Sequence, residues 1–350
     1  MFKVQSGGGL FLKSDEVISK ERMDEKQKSF VLVKNDDNNQ SPKTPKQKPS
    51  LFKRYFKQFD MQLLVIPGLL LILIFNYFPM YGLVMAFQDY NIFEGFWNSE
   101  WAGLKHFKRF FNDPKFFEVM RNTIVLSSLK ILIIFPAPII LALMLNEVRN
   151  MMFKRTVQTI TYLPHFLSWV IVAGFATSML ATDNGSINIL LEKIGLIDQP
   201  IRFLSIPEYF WGVIIGTNLW KTIGFNSIVY IAAIAGINPQ LYEAAAIDGA
   251  SRLKKMYLIT IPSIMPIIVI FLILDIGNLL SAGFEDLLLL GNNPVLRSVS
   301  EVIDTYVYRV GISNGLYSYA TAIGLFKAVI SVALLTMANQ IARRTENSLW

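Results

Sequence analysis

Six stretches of this chain are too long and too apolar to be ordinary core elements. They lie at about 63–87, 123–145, 159–181, 209–234, 263–282 and 319–340. Each reaches the roughly 18–20 consecutive residues that a helix needs to cross a bilayer. A hydrocarbon interior offers no partner for backbone N–H and C=O groups, so such runs must satisfy them internally, as helices do. The pattern predicts an all-α membrane protein with six transmembrane helices. Pro136 and Pro138 should kink the second, and Pro164 sits near the start of the third.

Composition agrees. Of the 350 residues, 53% are hydrophobic, against about 45–50% for soluble domains even with glycine counted. Net charge is +7, from 33 basic and 26 acidic residues, and in a membrane protein that excess sets topology. No aromatic-and-basic motif points to nucleic acid. With the first segment inside, inner segments hold fourteen lysines and arginines and the longer outer segments nine. This bias supports both termini in the cytoplasm of a multi-pass chain. Cysteine is absent, which excludes disulfides and thiol chemistry.

Residues 1–50 are polar and aperiodic, with too little apolar surface to offset chain entropy, and are expected to be a disordered tail. Residues 51–62 alternate aromatic and basic side chains (Phe52, Lys53, Arg54, Tyr55, Phe56, Lys57), which suits a helix in the headgroup region. The first apolar run has no cleavage signature and should be retained.

Residues 237–262 interrupt this pattern. They lie between two apolar runs, yet they are polar, basic and written as two short helices. Asn238 before Pro239 is an N-cap followed by a ring suited to the first helical position. Asp248-Gly249 is a stop signal, Ser251 can cap a second helix, and Pro262 opens the next apolar run. After Leu241 and Tyr242, the first helix carries Glu243, Ala244, Ala245 and Ala246 with almost no side-chain bulk, a small, low-entropy knob that could fit a cleft on another protein. It could equally lie as a hairpin on the membrane surface.

The stretch resembles the signature loop of type I binding-protein-dependent ABC importer permeases: Glu-Ala-Ala, three residues, Gly, nine residues, Ile, one residue, Pro. Glu243-Ala244-Ala245, Gly249 and Ile259-Thr260-Ile261-Pro262 match it, with Ile261 where leucine is commoner. The charge bias independently puts this loop on the cytoplasmic side, where a coupling loop must be. The resemblance extends from about Leu51 to Trp350 and is closest to the branch serving large or modified oligosaccharides. It is carried by Leu143-Met144-Leu145-Asn146-Glu147-Val148-Arg149, Thr161-Tyr162-Leu163-Pro164-His165-Phe166, Trp220-Lys221-Thr222-Ile223-Gly224-Phe225-Asn226, Ile303-Asp304-Thr305-Tyr306-Val307-Tyr308-Arg309 and Ser348-Leu349-Trp350.

This resemblance implies a division into a tail at 1–50, an interfacial helix, first span and outer loop at 51–118, a permease core at 119–340, and a cytoplasmic tail at 341–350. It also implies a second permease chain, two ATPase subunits and an extracellular lipid-anchored or periplasmic solute-binding protein as partners. ATP and Mg would belong to the ATPases, with no cofactor on this chain. Glu243 would dock at an ATPase or hold its own loop, the alanines would allow close approach, and Gly249 would make the turn.

No catalytic constellation stands against this. The chain has no phosphate loop and no Gly-x-Ser-x-Gly elbow. Its two histidines, His106 and His165, lie outside any metal motif and read as surface or headgroup residues. The chain is therefore expected to be a transport subunit rather than an enzyme.

Lys130, Lys221, Asp275 and Lys327 fall inside spans, where unpaired charge costs roughly 2.5–3.5 kcal/mol even on the lenient insertion scale. Asp275 is expected to pair with Lys221 or Lys327, or else to touch substrate. Asn218, Thr222 and Asn226 recur every four residues, and Asn278 follows Asp275 on one face. These stripes could line a polar path or bond neighbouring helices. Trp220, Tyr230, Tyr317 and Tyr319 could stack on sugar faces, although an interfacial aromatic belt would also explain the last two. The rival reading is an ion-coupled secondary transporter with Asp275, Lys221 and Lys327 as a relay; it should show inverted repeats, and none is visible.

Overall fold

The computed structural model describes residues 59–344 and 348–349. The expected tail at 1–50, residues 51–58 of the expected interfacial helix, and Trp350 lie outside them. The chain divides into two compact units, Met1–Tyr77 and Phe78–Trp350.

In the first unit, helix α1 (Phe59–Ile72) passes into a π-turn, Leu73–Tyr77. Every side chain from Leu63 to Tyr77 is exposed, and nearly all are apolar. Such a surface suits lipid.

In the second unit, a 3-10 stretch at Phe78–Phe87 leads into strand β1 (Gln88–Asp89). After the short helix α2 (Gly95–Asn98), β1 pairs antiparallel with β2 (Glu100–Trp101), each strand only two residues long in an otherwise helical fold. Helices α3 (Lys105–Phe111), α4 (Phe116–Leu129), α5 (Pro136–Glu147) and α6 (Met151–Tyr162) follow. Next come α7 (Trp169–Met179), α8 (Ser186–Lys193) and the 29-residue α9 (Pro207–Ala235). The remainder is α10 (Pro239–Ile247), α11 (Arg252–Lys255) and α12 (Ile261–Gly277), then short α13 (Glu285–Leu290), α14 (Arg297–Ser300) and α15 (Ile303–Tyr308), and finally α16 (Tyr317–Arg343).

Among the described residues four helical stretches are long and apolar enough to cross a membrane singly: Leu63–Phe87, Phe116–Glu147, Arg252–Gly277 and Tyr317–Arg343. Two bent pairs bring the total to six if each counts as one span. The third expected span needs correction. It is broken, with Met151–Phe166 and Trp169–Met179 meeting at 107°. Its first arm begins at Asn150, whose Oδ1 accepts from the backbone N–H of Met152 and Phe153. The break follows a 3-10 turn, Leu163–Phe166, that contains Pro164, and Ser168 caps the new helix.

At two other prolines the helix continues. Pro136 and Pro262 each stand two residues after a π-turn, at Lys130–Ile134 and Met256–Thr260. A proline lacks its N–H and crowds the carbonyl four residues back. The wider π ladder, seen in Phe135 N–H donating to Lys130 O at 3.1 Å, shifts that carbonyl aside, and the helix continues. The second span therefore runs unbroken through Pro136 and Pro138. The fifth starts at Arg252 instead of 263, so the expected second short helix is its first turn.

Helix α9 is the axis of the packing, lying along α5 and α6. Near its start Phe210 and Ile214 pack with Leu126, Leu287 and Leu296. Near its end Tyr230 and Ile234 pack with Ala142, Leu143 and Ile264. Gly224 fits against Thr161 so closely that a Cβ there would overlap the Thr161 carbonyl. The expected outer loop at 283–318 is a folded layer holding α13, α14 and α15, with Asp286 and Glu301 buried in it.

Candidate functional site

Between the two packed ends of α9 lies a cavity of about 500 Å³, walled by α4, α5 and the π-turn between them, by α9, and by α12. Of the candidate pathway residues, Asn218, Asn226, Tyr230, Asp275 and Asn278 line it, together with Thr222. Both expected polar stripes thus face one space. The other five do not reach it. Trp220 stacks on Phe175 with ring centroids 5.6 Å apart. Tyr317 meets Tyr90 edge-on at 6.3 Å. Tyr319 is buried, with its hydroxyl donating to Asp113 Oδ2 at 2.7 Å.

The intramembrane charges pair differently from expectation. Lys221 Nζ donates to the backbone carbonyls of Pro164, His165 and Leu167, at the break in the third span. Lys327 pairs with Asp304. Neither meets Asp275, so the expected pair is absent and the relay proposed for an ion-coupled transporter has no connected members. Helix geometry explains the miss: a lysine stem is long enough to reach a neighbouring element's exposed carbonyls, which spacing along one helix does not reveal.

Lys130 is the lysine at the cavity, and its partner escaped notice in the sequence. Its Nζ lies 2.9 Å from Asp286 Oδ2 and 2.6 Å from Ala282 O. Asn218 Nδ2 donates to the same carboxylate oxygen at 2.8 Å. The signal available was an Asp next to the run Leu287–Leu290, which reads as a loop edge until α13 is seen to pack on α7. Asp275 is exposed to the cavity and has no ion pair among the described residues.

A second polar group ties the outer layer together. Asp113 accepts from the hydroxyls of Tyr306 and Tyr319, both at 2.7 Å, and from Lys115 N–H at 2.8 Å. Burial works to raise the Asp113 carboxyl, but these bonds and the Arg109 charge outweigh it and hold the group below its ordinary range. Burial and then the Asp113 bond push Tyr306 up to about 12. Glu301 pairs with Arg309, and Lys115 lies 3.4 Å away. His106 is buried, not a headgroup residue, with Nε2 3.0 Å from Gln88 O and 3.1 Å from Asp89 Oδ1. His165 stacks on Phe225 at 3.7 Å. No group of three or more His, Asp or Glu is arranged to hold a metal among the described residues.

The loop after α9 has the local structure its sequence predicts. Asn238 Oδ1 accepts from Gln240 N–H at 3.0 Å and caps α10, and Ser251 Oγ accepts from Lys254 N–H at 3.3 Å. Between them Gly249 takes φ 71°, where a Cβ is strained. Helix α10 turns 69° away from α9. Tyr242 Oη and Thr260 Oγ1, 2.9 Å apart, anchor it to the base of the fifth span. Leu241, Glu243, Ala244, Asp248 and Gly249 are exposed, Tyr242 and Ala245 half-buried, and Ile247 is 88% exposed.

Comparison with known proteins bears on both features. Residues 134–347 match the family described as binding-protein-dependent transport system inner membrane component. The polygalacturonan/rhamnogalacturonan transport system permease protein YteP of Bacillus subtilis (strain 168) is 47% identical over 302 residues, 86% of this chain and 93% of that protein. Protein LplB of the same organism is 47% identical over 284 residues, 81% of this chain and 88% of that protein. A chain in the crystal structure of a bacterial alginate ABC transporter, in complex with an alginate pentasaccharide-bound periplasmic protein, aligns with TM-score 0.78 and 41% identity. That alignment covers 85% of this chain and 99% of the other. Both bent helix pairs and most of the cavity wall fall inside the matched region, and the chain belongs to the family of inner membrane components of binding-protein-dependent transport systems.

Proposed function

We propose that this permease forms half of the translocation path of an ATP-driven importer for an oligosaccharide or modified sugar, and that α10 couples it to an ATPase. The observation that carries this reading is the 69° turn between α9 and α10. It presents a short, capped, small-faced helix at the end of the same rigid rod that walls the cavity. A push on α10 reaches α9 and, through Tyr242 and Thr260, the fifth span. Motion of two cavity walls together is the physical content of alternating access.

The saccharide class is supported by the relatives' names and by the lining. Amide and hydroxyl groups of Asn226, Asn278 and Thr222 suit sugar hydroxyls, and Phe225 and Phe271 add aromatic surface to the wall. A second permease chain completes the wall, and two ATPase subunits bind ATP and Mg. A solute-binding protein delivers cargo, a reading supported by the alginate transporter's complex with an alginate pentasaccharide-bound periplasmic protein. Lysine and arginine placement supports both termini on the cytoplasmic side of a bacterial inner membrane.

Because the chain has no native cysteine, single cysteines at positions from Leu241 to Asp248 test the coupling role cleanly. Ala245→Cys, paired with a cysteine in the ATPase cleft, should crosslink, with a yield that changes on adding nucleotide. Absence of any crosslink across the scan would remove α10 from the mechanism.

A further inference from the structure

The cavity wall carries two ionisable side chains that matter at neutral pH, Lys130 and Asp275. Their circumstances are opposite. The Lys130 ammonium is held by Asp286 and by the Ala282 carbonyl, and Asp286 also accepts from Asn218. That cation is neutralised within the wall and has little left to offer an anion. Asp275 has no ion pair among the described residues and is exposed to the cavity. The wall therefore presents one carboxyl group with no ion-pair partner among the described residues. Apart from the paired Lys130, the other polar groups on the wall are neutral, among them those of Asn226, Asn278, Thr222, Ser281 and Tyr230.

An ionised carboxylate only accepts hydrogen bonds. It suits a pair of sugar hydroxyls, and it suits a protonated amino group better. It repels another carboxylate at close range in a cavity of low dielectric. We propose that Asp275 makes this half of the path selective for non-anionic saccharides, neutral or amino-substituted, over saccharides that carry carboxylates. The inference rests on the cavity being the translocation path. It runs opposite to the cargo named for two similar proteins, the polygalacturonan/rhamnogalacturonan permease YteP and the importer of the acidic polysaccharide alginate, and the uronate arm of the test decides between them.

The test uses the assembled permease–ATPase complex in nanodiscs, with the binding protein omitted so that only the permease selects. Binding of three pentasaccharides is followed by saturation-transfer NMR: a neutral hexose, an amino sugar and a uronate. Wild type should bind the neutral and amino forms at least about tenfold more tightly than the uronate. Asp275→Asn should bring the neutral-to-uronate ratio within about threefold and remove any amino preference, while Asp275→Glu keeps both. Uronate binding as tight as neutral binding in wild type, or an unchanged ratio in Asp275→Asn, overturns the proposal and leaves the saccharide path standing. Failure of every pentasaccharide to bind overturns the path and the proposal together. Should Asp275→Asn not assemble, the wild-type ratio and the Asp275→Glu ratio still decide: a uronate preference in either rejects the idea.

Discussion

At the scale of single residues, two positions control packing that the sequence could only hint at. Gly224 lies where a side chain would run into the Thr161 carbonyl. Gly224→Ala should destabilise the bundle by about 1–3 kcal/mol, the usual cost of overpacking, and a lower melting temperature in detergent would check it. Asp113 has a sign that can be worked out. Its folded-state carboxyl titrates below its ordinary value, so it contributes stability that is fully present above the unfolded pKa of about 4. That stability is lost as pH falls through the lower folded value. Asp113→Asn should cost about 1–3 kcal/mol at neutral pH by weakening bonds to two buried tyrosines. The gap to wild type should begin to narrow in melts run below about pH 4 and close once pH falls through the lower folded value. A gap that persisted at low pH would mean the site acts through shape alone. The expected partners of Asp275 were wrong for a related reason: helical spacing gives a residue's face, not which neighbour lies across from it.

At the scale of elements, capping chemistry was legible and breaks were not. Asn238, Pro239, Gly249 and Ser251 act as their sequence signals require, because each effect is settled within four residues. The 107° break in the third span is different. Pro164 marked the place, but the same residue type is absorbed by π-turns at Pro136 and Pro262. What distinguishes the break is a distant group, Lys221, which satisfies three carbonyls freed there and lies over the Trp169 ring at 5.3 Å. Lys221→Met keeps the stem but removes the donors. It should destabilise the break by about 2 kcal/mol and raise amide exchange over 163–168 before the rest of the bundle. Uniform exchange across the chain would contradict this role. Glu243 is a coupling element by proposal. Glu243→Ala should leave melting unchanged, since the side chain is exposed with nothing to support, yet lower transport at constant ATPase content.

At the scale of the whole molecule, the number and order of apolar runs were legible because the bilayer imposes their length. The folded outer layer was not. Its short helix at Glu285–Leu290 and the end of the one at Arg297–Ser300 carry charges that look solvent-facing until Asp286 and Glu301 are seen buried against Lys130 and Arg309. The polar stripes were read correctly as faces, but only the fold showed that they meet around one cavity. The resulting picture is a bundle with a polar chamber, no phosphate-binding loop of its own, and an exposed helix at the end of its central rod. Its central claim is that energy enters from a separate ATPase. The most direct measurement is uptake into proteoliposomes holding the two permease chains, with and without the ATPase subunits. The account predicts uptake only with the ATPases, binding protein and ATP together, and none driven by a proton or sodium gradient alone. Gradient-driven uptake by the permease chains without ATPases would contradict it.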